Sequence, residues 1–190
     1  MKENVLCVKN SSFAKLGGFV GLSLDVNRYF HPLISVGEFR PRDTVEEDEN
    51  YKQLIPYIII THKGRVLAYQ RGKRGGDPRL FGKLSIGIGG HVNDRDQTYF
   101  NGFHRELSEE VGFCVGSALP KAVVNDHSGA IERVHLGFVH VLRTPYSEIV
   151  ARCASIVNPV FKTVEELKCD IESYEVWSQI CIRNIDSLIA

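Results

Sequence analysis

From Leu54 to Thr61 the chain reads LIPYIIIT, a β-branched and aromatic run, and Arg65 to Gln70 (RVLAYQ) alternates apolar with polar. Lys63-Gly64 between them is a turn signal, so the two segments predict a β-hairpin. A glycine-rich loop, RGKRGGDPRLFGK, leads to a third short strand over Leu84 to Ile88, ending at Gly89-Gly90. The period then changes to that of a helix. Over Thr98 to Val111, the residues Phe100, Phe103, Leu107 and Val111 fall within an arc of about 80° on a helical wheel, and Gly112 supplies a C-cap. Phe113 to Val115, Lys121 to Asn125 and the long IERVHLGFVHVL (Ile131 to Leu142) predict further strands. Helical spacing from Val164 to Ile189 predicts one or two C-terminal helices. Strands on both sides of one central helix predict a compact α/β domain with a mixed sheet.

Residues 1–45 read as an N-terminal extension packed on a main domain of residues 46–190. The extension carries the apolar run Val5 to Val8, aromatics from Phe13 to Phe19 and a helix near Val26 to Val36. The segment RPRDTVEEDENYKQ, with Glu46, Glu47, Asp48 and Glu49, reads as a solvated loop without a metal role, because like charges repel and resist burial.

Composition narrows the functional classes. With 23 basic and 23 acidic residues the net charge is zero, so no global field draws the chain to nucleic acid or an anionic membrane. The five cysteines, Cys7, Cys114, Cys153, Cys169 and Cys181, are scattered and contain no C-x-x-C pair. That favours free thiols in a reducing compartment over a disulfide framework. No run approaches the length of a membrane span, and MKENVLCVKN lacks the apolar core of a signal peptide. The expected location is the cytoplasm, with no membrane or nucleic-acid partner; a homodimer is allowed for.

The chemistry concentrates in the central helix. Glu106, Glu109 and Glu110 converge on an arc beside its core face, although Glu106 and Glu110 are a like-charge i, i+4 pair and acids in the last turns oppose the helix dipole. These penalties are a few tenths of a kcal/mol to about 1 kcal/mol, small enough for an exposed acidic patch to bear. A divalent cation would instead convert the repulsion into coordination, since hard oxygen ligands suit Mg²⁺ or Mn²⁺. Arg105 could hold one carboxylate in place, and Gly89-Gly90 would allow close backbone approach.

The segment Arg105-Glu106-Leu107-Ser108-Glu109-Glu110-Val111-Gly112-Phe113, with Gly89-Gly90 upstream, resembles the end of the Nudix (MutT-like) box: Arg-Glu, an aliphatic, any residue, Glu-Glu, any residue, Gly, an aliphatic. The strand order extends the resemblance to residues 50–190. RPRD followed by YKQLIPY, and the later ESYEVWSQ, look like a group of predicted MutT-type phosphoesterases. The first half of the box departs from the family pattern. Counting back from Arg105 puts Gln97 where the family carries a glutamate and His91 where it carries a glycine; an insertion of one residue restores Gly90 and leaves Asp96 as the nearest carboxylate. Asp96 could equally cap the helix.

The resemblance implies an α/β/α sandwich with a mixed sheet and a catalytic helix. It also implies a metal-dependent hydrolase cleaving a diphosphate linkage in a nucleoside diphosphate derivative, with Mg²⁺ (or Mn²⁺) as cofactor. The alternative is a catalytically weak Nudix-like nucleotide sensor. By resemblance Glu106, Glu109, Glu110 and the Gly89 carbonyl would hold metal, with Glu110, Glu109, Arg105 and Asp96 the catalytic set. The general base stays open among Glu110, Asp96, Glu132 and Glu148. Arg71, Lys73, Arg74 and Arg79 are possible phosphate contacts, Arg71 preferred, and His91 could line the site or make a structural hydrogen bond. His127 reads as a surface residue. His135 and His140, five apart on a strand, face opposite ways and make a poor metal pair. Tyr174 and Trp177 could stack on a base but suit a core helix.

Overall fold

The computed structural model describes residues 3–73, 80–112 and 118–190. In chain order the elements are β1 (Asn4–Lys9), α1 (Asn10–Lys15), β2 (Gly21–Ser23), α2 (Val26–Ser35), β3 (Glu38–Pro41), α3 (Arg42–Val45) and β4 (Tyr51–His62). There follow β5 (Arg65–Arg71), β6 (Leu84–Ser85), β7 (Gly87–Ile88), α4 (Tyr99–Val111), β8 (Ala122–Asn125), α5 (Ala130–Val134) and β9 (His135–Arg143). The chain ends with β10 (Ile156–Lys162), α6 (Val164–Cys169), a 3₁₀ turn, α7 (Val176–Arg183) and α8 (Ile185–Ile189).

The organising strand is β4, buried from Lys52 to His62. Its continuous apolar run suits a strand covered on both faces. Leu54, Ile58 and Ile60 point to one side, and Tyr57 and Ile59 to the other. One edge of β4 runs parallel to β9, in register from Gln53 opposite His135 to Thr61 opposite Arg143. The other edge pairs in turn with β1, β7 and β5, all antiparallel. The β4–β5 hairpin turns at Lys63-Gly64, both with positive φ (47° and 77°), the backbone of a tight two-residue turn whose twist matches the strands.

Helices cover both faces. Phe103, Leu107 and Val111 of α4 pack on Ile58, Ile60 and Leu67, and Tyr29, Phe30 and Leu33 of α2 continue that layer over Phe138. On the opposite face Leu167, Cys181, Ile182, Ile185 and Leu188 of α6–α8 pack on Tyr57, Ile59 and Val139. The result is an α/β/α sandwich around a mixed sheet in the order β10-β5-β4-β9-β8-β2. Residues 4–41 contribute β1 and β3, which pair with each other and, through β1, with β4, and β2, which pairs with β8.

Four local expectations change. The strand expected from Ile131 starts only at His135, because Gly129 opens a helical turn that buries Val134. Arg42–Val45, expected as loop, is helical, and Val45 is buried against Val5 and Cys7. The C-terminal segment forms three short helices, the first held by a capping box between Thr163 and Glu166. β10 was not evident, since Pro159 and a positive φ at Asn158 interrupt its pattern at a register shift; Pro is tolerated at such an edge. Phe113 to Val115 lies outside the described residues.

Candidate active site

A cleft of about 750 Å³ opens beside the β7–α4 connection. The backbone creates it. Gly89 has φ +155°, and any Cβ there would collide with the Pro56 carbonyl oxygen of β4. At Gly90 a Cβ would lie 2.7 Å from a Glu106 carboxylate oxygen. The glycine pair thus lets the turn lie against the sheet and the carboxylate lie against the turn.

Helix α4 begins at Thr98, whose side chain accepts from the Asn101 N–H. Thr98, not Asp96, is therefore the N-cap: Gln97, with φ +64°, separates Asp96 from the helix. Asp96 instead binds Arg105 in a bidentate pair, Nε to Oδ1 at 2.8 Å and Nη2 to Oδ2 at 2.9 Å, and accepts the Asn93 N–H at 2.8 Å. Burial works against its charge, yet these donors hold its carboxyl below the usual range. Arg105 also donates to the His91 carbonyl (2.8 Å), Glu106 Oε1 (2.8 Å) and Glu109 Oε2 (3.3 Å). Asp96 is thereby the anchor of Arg105, and Arg105 ties the loop to two of the three carboxylates. The last turn ends at Gly112 in the left-handed conformation (φ 75°), with the Arg152 side chain against it. This cation offsets the dipole that the acids oppose.

The carboxylates differ in setting. Glu109 is largely exposed, at 61% of its side chain. Glu106 is mostly buried; burial, with Glu110 and Glu109 nearby, outweighs Arg105 and pushes its pKa up to about 7. Burial also raises that of Glu110, although Ser155, Arg71 and the Gly89 backbone N–H oppose the rise. Glu110 Oε1 accepts from Ser155 Oγ at 2.9 Å, whereas its buried Oε2 has no hydrogen-bond partner. A buried carboxylate oxygen left unpartnered is costly. Together with the glycine cradle and the hard oxygen donors, it fits a divalent cation.

Arg71 lines the cleft, but its guanidinium is committed to Glu175, at 2.9 and 3.2 Å. Glu175 is buried and also accepts from Ser85 Oγ at 2.7 Å. Glu175, Ser85 and Ser155 were not singled out from sequence; only the ESYEVWSQ resemblance touched one of them. His91 faces His135 across the cleft wall, with Nε2 atoms 3.1 Å apart, and burial lowers the pKa of both rings. Trp177 lines the cleft edge-on to Tyr57, while Tyr174 is buried in the core. Glu132 lines the cleft, and Glu148 lies outside that lining. Lys73 is described, but Arg74 and Arg79 lie outside the described residues.

No family model matches the chain. Protein YmaB of Bacillus subtilis (strain 168) is 30% identical over 153 residues, spanning 74% of each chain. The crystal structure of Tm1382, a proposed Nudix hydrolase, superposes with a TM-score of 0.82 at 29% identity, over 96% of this chain and 98% of that one. The chain belongs to the Nudix family. A more distant structure shares the Nudix fold alone: the MutT protein of Methanosarcina mazei Go1 has a TM-score of 0.58 at 18% identity, covering 70% of this chain and 91% of its own. The Nudix domain of Shewanella oneidensis NrtR, solved with ADP ribose, has a TM-score of 0.54 at 14% identity, over 72% and 85%. Among the described residues no helix is long and apolar enough to cross a membrane.

Proposed function

We propose that this Nudix protein is a divalent-metal-dependent hydrolase that cleaves a diphosphate linkage in a nucleoside diphosphate derivative, a MutT-type phosphoesterase. The observation that carries this reading is the buried, unpartnered Oε2 of Glu110 beside Glu106 in the cleft. Glu106, Glu109 and Glu110 would hold Mg²⁺ or Mn²⁺, with the Gly89 backbone beside them. An ion held there would supply charge neutralisation for the diphosphate and would lower the pKa of a water nucleophile. The chain's own residues do the rest. Arg105, held by Asp96, would position Glu106, Ser155 would position Glu110, and Arg71, paired with Glu175 in the cleft lining, would add positive charge for the phosphates.

The class of compound is supported by ADP ribose in the NrtR Nudix domain and by AMP with a manganese ion in a bifunctional NMN adenylyltransferase/ADP ribose pyrophosphatase of Francisella tularensis. The test is hydrolysis of a panel of nucleoside diphosphate derivatives with Mg²⁺ or Mn²⁺, read as the nucleoside monophosphate product or as phosphate freed from the two phosphomonoester products by added phosphatase. Turnover of at least one compound, abolished by chelator, supports the proposal. Tight binding of one compound without turnover of any would make the protein a sensor.

A further inference from the structure

The cleft has a second wall that the carboxylate site does not use. Glu46, at the end of α3, His91, after β7, and His135, at the start of β9, each present a ligand atom, and all three atoms lie within 4.8 Å of one another. Three separate elements bring them together. The β4–β9 register puts His135 opposite Gln53, α3 carries Glu46 over the same end of the sheet, and the Gly89-Gly90 turn delivers His91. All three line the cleft. We propose that Glu46, His91 and His135 form a binding site for one transition-metal ion of the zinc class, separate from the Glu106–Glu110 carboxylates.

The chemistry of the donors sets the class. Two imidazoles and one carboxylate select a borderline cation such as Zn²⁺ over Mg²⁺, which prefers an all-oxygen shell. The Nε2 atoms of His91 and His135 are 3.1 Å apart. Two nitrogens bound tetrahedrally at about 2.0–2.1 Å from zinc are separated by roughly 3.3 Å, so the pair is spaced for a shared ion with little movement. Orientation is already fixed. His135 Nδ1–H donates to the Ile131 carbonyl at 2.7 Å, which leaves the Nε2 lone pair facing His91. Arg42 Nε donates to Glu46 Oε2 at 3.1 Å, while its Nη1 donates to Glu3. These are the outer partners that hold metal ligands in place, and Glu3 and Glu46 together offset the Arg42 charge.

A histidine–histidine hydrogen bond accounts for the ring pair without a metal, with His91 Nε2–H donating to His135. Glu46 is paired with Arg42, and it still brings a carboxylate oxygen to within 4.8 Å of both ring donors. On metal binding the His91 proton moves from Nε2 to Nδ1, so the neutral ring becomes a ligand without net proton release. Three protein ligands leave room for water or a ligand oxygen, and the site would give the cleft a second cation to hold an anionic substrate.

The test is a titration of metal-free protein with Co²⁺ in excess Mg²⁺, which saturates hard carboxylate sites, followed by visible absorption. The expected result is one Co²⁺ per chain with ligand-field bands of a nitrogen–oxygen site. Those bands persist in the Glu106→Gln/Glu110→Gln double variant, so failure of the carboxylate reading would leave this result intact. They are lost in His91→Asn and His135→Gln, and Glu46→Gln weakens binding at least about tenfold. Should His135→Gln fail to fold, by circular dichroism, Glu46→Gln and His91→Asn decide. The proposal is overturned if Co²⁺ does not bind stoichiometrically, if His91→Asn and Glu46→Gln bind it unchanged, or if a thiolate-to-cobalt band places the ion at Cys153.

Discussion

The two walls of the cleft handle buried polar groups in opposite ways. On the α4 wall, Glu106 and Glu110 are carboxylates held out of water, with pKa values pushed up by burial and one oxygen left unpartnered. On the opposing wall, His91 and His135 are kept in their neutral form by burial, and their facing nitrogens share one hydrogen bond. The first wall keeps a buried oxygen without a hydrogen-bond partner, whereas on the second the two rings partner each other. A charged donor set therefore reveals its suitability for a cation through an unmet hydrogen bond, whereas neutral nitrogen donors that bond one another do not.

The largest effect should come from Glu110→Gln. Removing a ligand charge should lower turnover of a nucleoside diphosphate substrate by roughly 10²–10³-fold, about 3–4 kcal/mol of barrier. Folding should change little, because the amide no longer carries a desolvated charge; activity assays beside urea denaturation check both halves. Asp96→Ala attacks the scaffold of the same wall. It leaves Arg105 with Glu106, Glu109 and the His91 carbonyl alone and should cost about 3 kcal/mol of stability by removing one member of a largely buried pair, together with activity. A denaturation midpoint unchanged from wild type would show that Asp96 does not anchor Arg105.

His140 sharpens the contrast from the protein side, because it is a buried histidine with both nitrogens satisfied by the chain. Nδ1–H donates to the Ala118 carbonyl at 2.7 Å, and the Tyr99 hydroxyl donates to Nε2 at 2.9 Å. Burial lowers its pKa from 6.5 to about 4. The folded value is depressed, so its stabilisation is present above pH 6.5 and disappears as pH falls toward 4. The difference of about 2.5 units corresponds to about 3 kcal/mol. Denaturation at pH 7 and pH 4 should show that loss reduced in His140→Phe; an identical pH dependence would disprove the assignment. The smallest effect belongs to the start of α4. Thr98→Ala should cost about 1 kcal/mol, read as a lowered melting temperature, because it removes the cap on the Asn101 N–H.

How much of this was legible in the sequence follows from how local each feature is. Helix α4, its Gly112 cap and the three glutamates form one continuous segment with a fixed period, and the β4–β5 hairpin carries its own turn residues. Asp96 was located as the odd carboxylate of the box, but its partner depends on Gln97 taking a positive φ, which shifts the cap to Thr98. Glu175 sits about a hundred residues from Arg71, and only packing of α7 under the cleft joins them. The histidine wall was the least visible. In the sequence Glu46 reads as one member of a solvated acidic run, and His135 stands five residues from His140 but far from His91. Strand register and a glycine turn assemble that group, and neither leaves a spacing signature.

The central claim is that the α4 carboxylates hold the divalent cation at which a diphosphate substrate is bound. Its most direct test is a crystal structure with Mn²⁺ and a non-hydrolysable nucleoside diphosphate compound, with manganese located by anomalous scattering. The account predicts manganese bonded to Glu106 and Glu110, at about 2.0–2.3 Å, with the diphosphate in the same cleft. Manganese and nucleotide found elsewhere, with Glu110 Oε2 still unpartnered, would contradict it.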